Sequence, residues 1–365
     1  MKKKRKTVFS GIGGQAVLEG IMMKNKNEYA VAVRLPDGNI KVEKWETDKK
    51  KEESFIKKIP FVRGVFNFID SMVIGMKTLT YSASFWEEEE VPEDESKRAK
   101  RAREKDKAKA EKEEGIAMGF TVFFSLLIAV FLFMLLPYFA AEFASKYIQN
   151  DSLVAILEGV IRIVIFLGYV LAISMMKDIR RLYQYHGAEH KCINCIESGR
   201  PLTVRNVMRC QRQHRRCGTS FTLIVMIISI ILFFFIRFDS ILLKIVFRLL
   251  LIPVIAGISY EFLRLAGRYD NWFVRLISAP GMWLQLITTR EPDPDMVEVA
   301  IAAVEEVFDW ERFENKHFKR RMVKKTKELS DGSIVETGEE TMEISVVDLE
   351  AALASSSDPK PKSEP

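Results

Sequence analysis

Cysteine and histidine are scarce in this 365-residue chain, with four of each. So few thiols exclude a disulfide-dense secreted scaffold. All four cysteines fall between Cys192 and Cys217, and three of the four histidines between His186 and His214. No cleavable leader is visible: Met1 to Lys6 is basic, but Gly11, Gly13 and Gly14 follow where an apolar core would be needed. The first apolar helix is therefore expected to remain as an uncleaved anchor. No internal repeat is found, which sets repeat architectures aside. No recognised RNA-binding motif accompanies the net charge of +6, so specific nucleic-acid binding is not expected.

What is present is two materials in one chain. Mean hydropathy is +0.01 with 28% charged residues, yet the apolar residues concentrate in four runs. These lie near 116–137, 152–176, 219–236 and 241–265. About 20 apolar residues at 1.5 Å rise cross a bilayer core, so each run is predicted to span. The first carries no charge, the second holds Glu158 and Arg162, and the fourth holds Lys244, Arg248 and Glu261. The loop 177–218 has ten Lys or Arg against three acids, so it is predicted to be cytoplasmic with both termini. A fifth stretch, 272–289, is interrupted by Arg275 and Pro280-Gly281 and is expected to lie at the interface or re-enter from it. The expected fold class is an all-α polytopic membrane protein of about four transmembrane helices with a small α+β N-terminal cytosolic module.

That module occupies 8–86. Tyr29–Leu35 and Ile40–Glu46 read as strands around a Pro36-Asp-Gly-Asn39 turn. Val62, Val65, Ile69, Met72, Val73, Met76 and Leu79 recur at helical spacing, on a helix expected to lie on the bilayer or pack on the spans. Residues 87–114 read as a solvated charged linker, with 115–290 as the membrane domain. One amphipathic helix is expected over 294–315 and a disordered tail over 319–365. The glycine-rich start reads as a turn and strand, from which Gln15 and Glu19 could reach the cytosolic loop. Glu158 and Arg162, four apart within a span, are expected to neutralise each other or to face Arg248.

The chemistry concentrates in the cytosolic loop. His186-Gly-Ala-Glu-His190 is an H-x-x-E-H string, in which two histidines bind zinc from one helical face and the glutamate activates water. If the second span continues as a helix, residues 186, 189 and 190 fall within about 100° of one another. A third ligand at the spacing of inverted zinc peptidases would be Glu261. Cys210, His214 and Cys217 stand at i, i+4 and i+7, again one helical face. Cys192-Ile-Asn-Cys195 is a C-x-x-C pair. Two arrangements compete. One is catalytic, with His186, His190 and His214 or Cys217 as ligands and Glu189 as base. The other is a structural zinc knot of Cys192, Cys195, Cys210 and Cys217 (or His214).

Several longer strings complete the picture: Gly13–Met23, Ile59–Gly64, Tyr185–Lys191, His214–Phe221 and Pro280–Thr289. Through them the chain, from about Gly13 to Val307, resembles the bacterial YqhQ-like family. These are membrane proteins of unassigned function, often labelled predicted metal-dependent enzymes. The resemblance implies a mixed site of His186, Glu189, His190, Cys195, His214 and Cys217, without Cys192 or Cys210. It implies a multi-pass protein of the bacterial cell membrane. The resulting expectation is a metal-dependent hydrolase, with zinc as cofactor, acting on a membrane-associated peptide or lipid. The rival is a non-catalytic scaffold whose zinc-braced basic loop docks anionic lipid headgroups or membrane-insertion machinery. A homo-oligomer is compatible with either.

Overall fold

Four short strands, β1 (Gly13–Val17), β2 (Gly20–Asn25), β3 (Glu28–Arg34) and β4 (Ile40–Glu46), form an antiparallel meander in that order. The computed structural model describes residues 7–47, 59–86, 115, 117, 119–235, 238, 240–269, 272–318, 322–328 and 334–341. Two-residue connections close the first two hairpins, with Glu19 and Lys26 at φ 50° and 53°, as tight hairpin turns require. Alternation along β3 sends Tyr29, Val31 and Val33 to one face of the sheet and Ala30 and Ala32 to the other. Both faces are covered, so all five are buried.

The first face meets α1 (Val62–Ala83) through Ile74 and Tyr81, and Ser82 Oγ accepts the Leu18 N–H at 3.1 Å. The second face packs on α4 (Lys177–Glu197) and α10 (Pro294–Val307). Ile21, Met23, Ala30 and Ala32 share a core with Tyr185, Ile193 and Ile196 of α4 and Met296, Ala300 and Val304 of α10. Large apolar side chains buried this fully contribute about 1.5–3 kcal/mol each. The sheet, α4 and α10 are therefore one body built from both ends of the chain.

The apolar helices extend from this body. They are α2 (Gly119–Ser145), α3 (Asp151–Ile173), α6 (Gly218–Phe234), α7 (Ile241–Leu250) and α8 (Ile252–Arg268). In α2 a π stretch, Phe131–Leu135, precedes Pro137, whose missing N–H breaks the helical ladder. Asn150 caps α3, accepting from the Ser152 and Leu153 N–H groups. Three helical stretches among the described residues are long and apolar enough to cross a membrane: Gly119–Ser145, Asp151–Ile173 and Leu242–Leu265. The remaining run of the expected four forms α6, which at 17 residues is shorter.

Three expectations change. The stretch 272–289 is one unbroken helix, α9 (Trp272–Thr288), despite Pro280 inside it. Gly281 lets it lie against Ser220 of α6, where a Cβ would come within 2.7 Å. The single helix expected over 294–315 is two, α10 and α11 (Trp310–Phe318). Phe308 turns extended (φ −145°), and Asp309 Oδ1 accepts the Arg312 N–H to start the second. Within the tail expected to be disordered, β5 (Met322–Glu328) and β6 (Ile334–Thr341) pair antiparallel. The linker 87–114 and the rest of the tail lie outside the described residues.

Candidate metal centre

The H-x-x-E-H string lies on α4, which is not a continuation of α3. The chain breaks at Ser174–Met176, with Met176 extended (ψ 136°) ahead of the new helix. Within α4 the helical period still brings His186, Glu189 and His190 to one side, as the spacing predicts. Gly187 carries no side chain because the Arg290 carbonyl packs against its Cα, where any Cβ would collide.

The expected helical face of Cys210, His214 and Cys217 does not form. A helix exists only at α5 (Val204–Met208), and 209–217 is irregular. Side chains take up its backbone: Asn194 Nδ2 donates to the Gln211 and Gln213 carbonyls at 2.6 and 3.0 Å. Cys217 ends the loop as the N-cap of α6, its sulfur accepting the Thr219 N–H at 3.4 Å.

Loop and helix meet so that ligand atoms of His186, His190 and Cys217 lie within 4.8 Å of one another. The hydrogen bonds fix both tautomers. His186 Nδ1 donates to the Thr288 carbonyl at 2.9 Å, and His190 Nδ1 donates to the Arg212 carbonyl at 2.6 Å. Each Nε2 is then a lone-pair donor turned inward. His186 Nε2 sits 3.0 Å from Cys217 Sγ, while His190 Nε2 is buried without a hydrogen-bond partner among the described residues. A thiol has one proton, so it cannot satisfy two such nitrogens. A cation can. The set, two imidazoles and a thiol, suits zinc or a similar borderline ion. Tetrahedral bonds of roughly 2.0–2.3 Å need ligand separations of roughly 3.3–3.8 Å, a short contraction from the observed cluster.

Burial holds His190 below its ordinary value, with His186 adding to the effect. Glu189 is buried beside the cluster. Desolvation raises its carboxyl, opposed by His186 and by the Gly14 N–H, and its Oε2 has no partner among the described residues.

His214 stands one place out, its ring 5.7 Å from that of His190. Its Nε2 faces Glu197 Oε2 at 3.5 Å, and Glu197 also binds Arg216 and Ser10. Gln285 clamps its backbone, accepting the His214 N–H and donating to its carbonyl, both at 2.7 Å. Among the described residues Cys217 groups with His186 and His190 and not with Cys192, Cys195 and Cys210, so the four-cysteine knot is not assembled. Cys195 is buried over the Arg200 and Pro201 carbonyls, and Cys210 has Arg200 Nη1 at 3.7 Å. Glu261 is elsewhere, bound by Arg63 Nε and Nη2 at 2.6 and 2.5 Å. Glu19 also stays away, held by Arg181 and by the Tyr185 hydroxyl at 3.1 Å. The orienting groups Gly14, Thr288 and Gln285 were not assigned roles from sequence. Gln285 and Thr288 had a signal, as polar residues in an apolar helix.

The molecule is thus a mostly helical protein with three candidate membrane-spanning helices, a small antiparallel sheet and a buried His–His–Cys cluster. The chain belongs to the family described as "Protein of unknown function (DUF1385)", which matches residues 59–310. It is 36% identical over 304 residues to "Uncharacterized protein YqhQ" of Bacillus subtilis (strain 168), covering 81% of this chain and 91% of that protein. No solved structure matches it.

Proposed function

We propose that this chain is a zinc-dependent hydrolase of the bacterial cell membrane, with both termini cytoplasmic, acting on a membrane-associated peptide or lipid. The observation that carries it is the pair of inward-facing imidazole nitrogens around one thiol, with the Glu189 carboxylate buried alongside. His186, His190 and Cys217 would hold the metal, and His214 is close enough to exchange in or to steady the loop. A metal bound there would supply Lewis-acid polarisation of the scissile carbonyl or phosphoryl oxygen. Glu189 Oε2 would take the proton of the attacking water and pass it to the leaving group. His186, the part-exposed member, is the side from which a substrate reaches the site. Cys217 begins α6 and Thr288 ends α9, so the cluster sits at the mouth of the apolar helices. That position suits substrates presented at a membrane surface.

Metal content by elemental mass spectrometry on detergent-purified protein tests this. About one zinc per chain is expected, lost in His186→Ala/His190→Ala. Glu189→Gln should keep metal and fold and lose cellular activity. Metal retained by the double variant would overturn the site; normal activity of metal-loaded Glu189→Gln would overturn the catalysis.

One observation favours a second reading. Glu189, His190 and Cys217 are 4%, 1% and 7% exposed, and closed sites are characteristic of structural zinc. On that reading the metal braces a basic scaffold for anionic headgroups or insertion machinery. Unaltered activity of Glu189→Gln, with loss of fold on metal removal, would select it.

A further inference from the structure

Within the apolar helices lies a charged cluster unconnected with the His–Cys centre. Glu158 and Arg162 share a face of α3, and Arg248 comes from α7. Arg162 Nη2 donates to Glu158 Oε1 at 2.6 Å, and Arg248 Nη2 donates to Glu158 Oε2 at 2.8 Å. One carboxylate therefore serves two guanidiniums. Both guanidinium carbons lie over the same Phe233 ring, 4.9 and 5.0 Å from its centroid. The neighbouring charges do not correct the imbalance: Glu142 of α2 and Lys244 of α7 pair with each other at 3.7 Å. The cluster keeps one excess positive charge, at 4% and 5% exposure for the two arginines.

Donors are in excess as well. Arg162 Nη1 reaches Ser229 Oγ at 3.1 Å, but Arg162 Nε, Arg248 Nε and Arg248 Nη1 are buried with no hydrogen-bond partner among the described residues. Beside Arg162 and Glu158 is a cavity of about 10 Å³ lined by Ala155, Glu158, Gly159, Arg162, Ile230 and Phe233. That volume admits one particle of about the size of a water and excludes a phosphate or a carboxylate. A water would satisfy a donor but leave the charge, which is costly at membrane depth.

We infer that the Arg162–Glu158–Arg248 cluster is a binding site for one small monovalent anion of the halide class, chloride under ordinary conditions. The ion sits beside the Arg162 guanidinium between α3 and α6, and Arg248, joined through Glu158, supplies the excess positive charge. The ion neutralises the second arginine and thereby ties α7 to α3 and α6.

Thermal unfolding of the full-length protein in detergent tests the site, with chloride raised from about 1 to about 100 mM at constant ionic strength in gluconate. The expected rise in Tm is about 2–4 °C, reproduced by bromide. Arg248→Leu leaves a neutral Glu158–Arg162 pair and should lose the response. Glu158→Gln frees a second guanidinium and should enlarge it. Should Arg248→Leu fail to fold, Glu158→Gln and the bromide anomalous peak in crystals of the unaltered protein carry the test. A Tm indifferent to chloride, a response unchanged in the variants, or bromide peaks only at the surface would overturn the site.

Discussion

His186 and His190 illustrate how much of the centre is decided by backbone carbonyls: Thr288 and Arg212 set which ring nitrogens face Cys217. Gly187, between them, decides whether α4 can approach Arg290 at all. Gly187→Ala would force a Cβ into that carbonyl and is expected to destabilise the protein by about 2–3 kcal/mol, with loss of metal. Gly168→Ala is the control, since its Cβ meets nothing within 4 Å and helix propensity favours alanine. Equal Tm values for the two variants would refute the close-approach argument. Cys210 offers a second residue-level test. The Cys195 thiol beside it, helped by Arg200, lowers Cys210 to about 7, while burial drives Cys192 well above the usual range. A lowered value means more thiolate at neutral pH. Alkylation of Cys210 by iodoacetamide should rise through about pH 7 and level off, where an ordinary thiol rises near 8.5. Arg200→Ala should move that midpoint upward, and Cys192 should react only on unfolding.

Among the elements, α1 joins the sheet to the apolar helices at two points. Its far end meets β3 and β4 through Tyr81 and Trp45, whose rings are 4.9 Å apart. Its near end meets α8, where Gly64 lies against Gly257 and Tyr260, Asn67 donates to the Tyr260 hydroxyl at 2.7 Å, and Arg63 grips Glu261. Arg63→Glu or Glu261→Arg alone should cost about 1–2 kcal/mol, and the exchanged pair should recover most of it. Thermal unfolding of the three variants measures the coupling, and additive losses would show that the pair does not join α1 to α8. This contact also shows where sequence spacing misleads. Glu261 had the right separation from His190 for a zinc ligand, but Arg63, some 200 positions earlier, claims it. Local periods were legible: β3, β4, α1 and the H-x-x-E-H face all follow from alternation or 3.6-residue repeats. The strands β1 and β2 read only as a turn and strand, since glycines at positions 13, 14 and 20 obscure alternation. The i, i+4, i+7 spacing of Cys210, His214 and Cys217 is not accompanied by a hydrophobic period, and 209–217 is not helical. Its conformation is set by Asn194 and Gln285, residues distant in sequence.

The whole molecule constrains its own topology. Strands β2 and β3, near the start, share a buried core with Met296, Ala300 and Val304 of α10, near the end. Two segments packed into one core lie on the same side of any bilayer between them, so the intervening chain must cross an even number of times. Three stretches are long and apolar enough by themselves. If the chain crosses a bilayer as proposed, the partner of the third stretch would be α6 or α9, each of 17 residues. At 1.5 Å per residue either reaches about 26 Å, a few ångströms short of the hydrocarbon core. Cys217 decides between them. It caps α6 at the end that faces α4 and the sheet, and Thr288, at the C-terminal end of α9, contacts the same His186. The chain leaves the site along α6, which carries no charge, whereas α9 carries Arg275 and Pro280. On the proposed topology α6 would supply the fourth crossing, which puts its far end on the side opposite the sheet. Alkaline phosphatase fused after Asn150 or Ser240 should be active outside the cytoplasm, and fusions after Ser198 or Val307 inactive. Activity after Ser198 would place the His–Cys centre outside and exclude the proposed cytoplasmic hydrolase, whereas activity confined to Asn150 would remove α6 as a crossing.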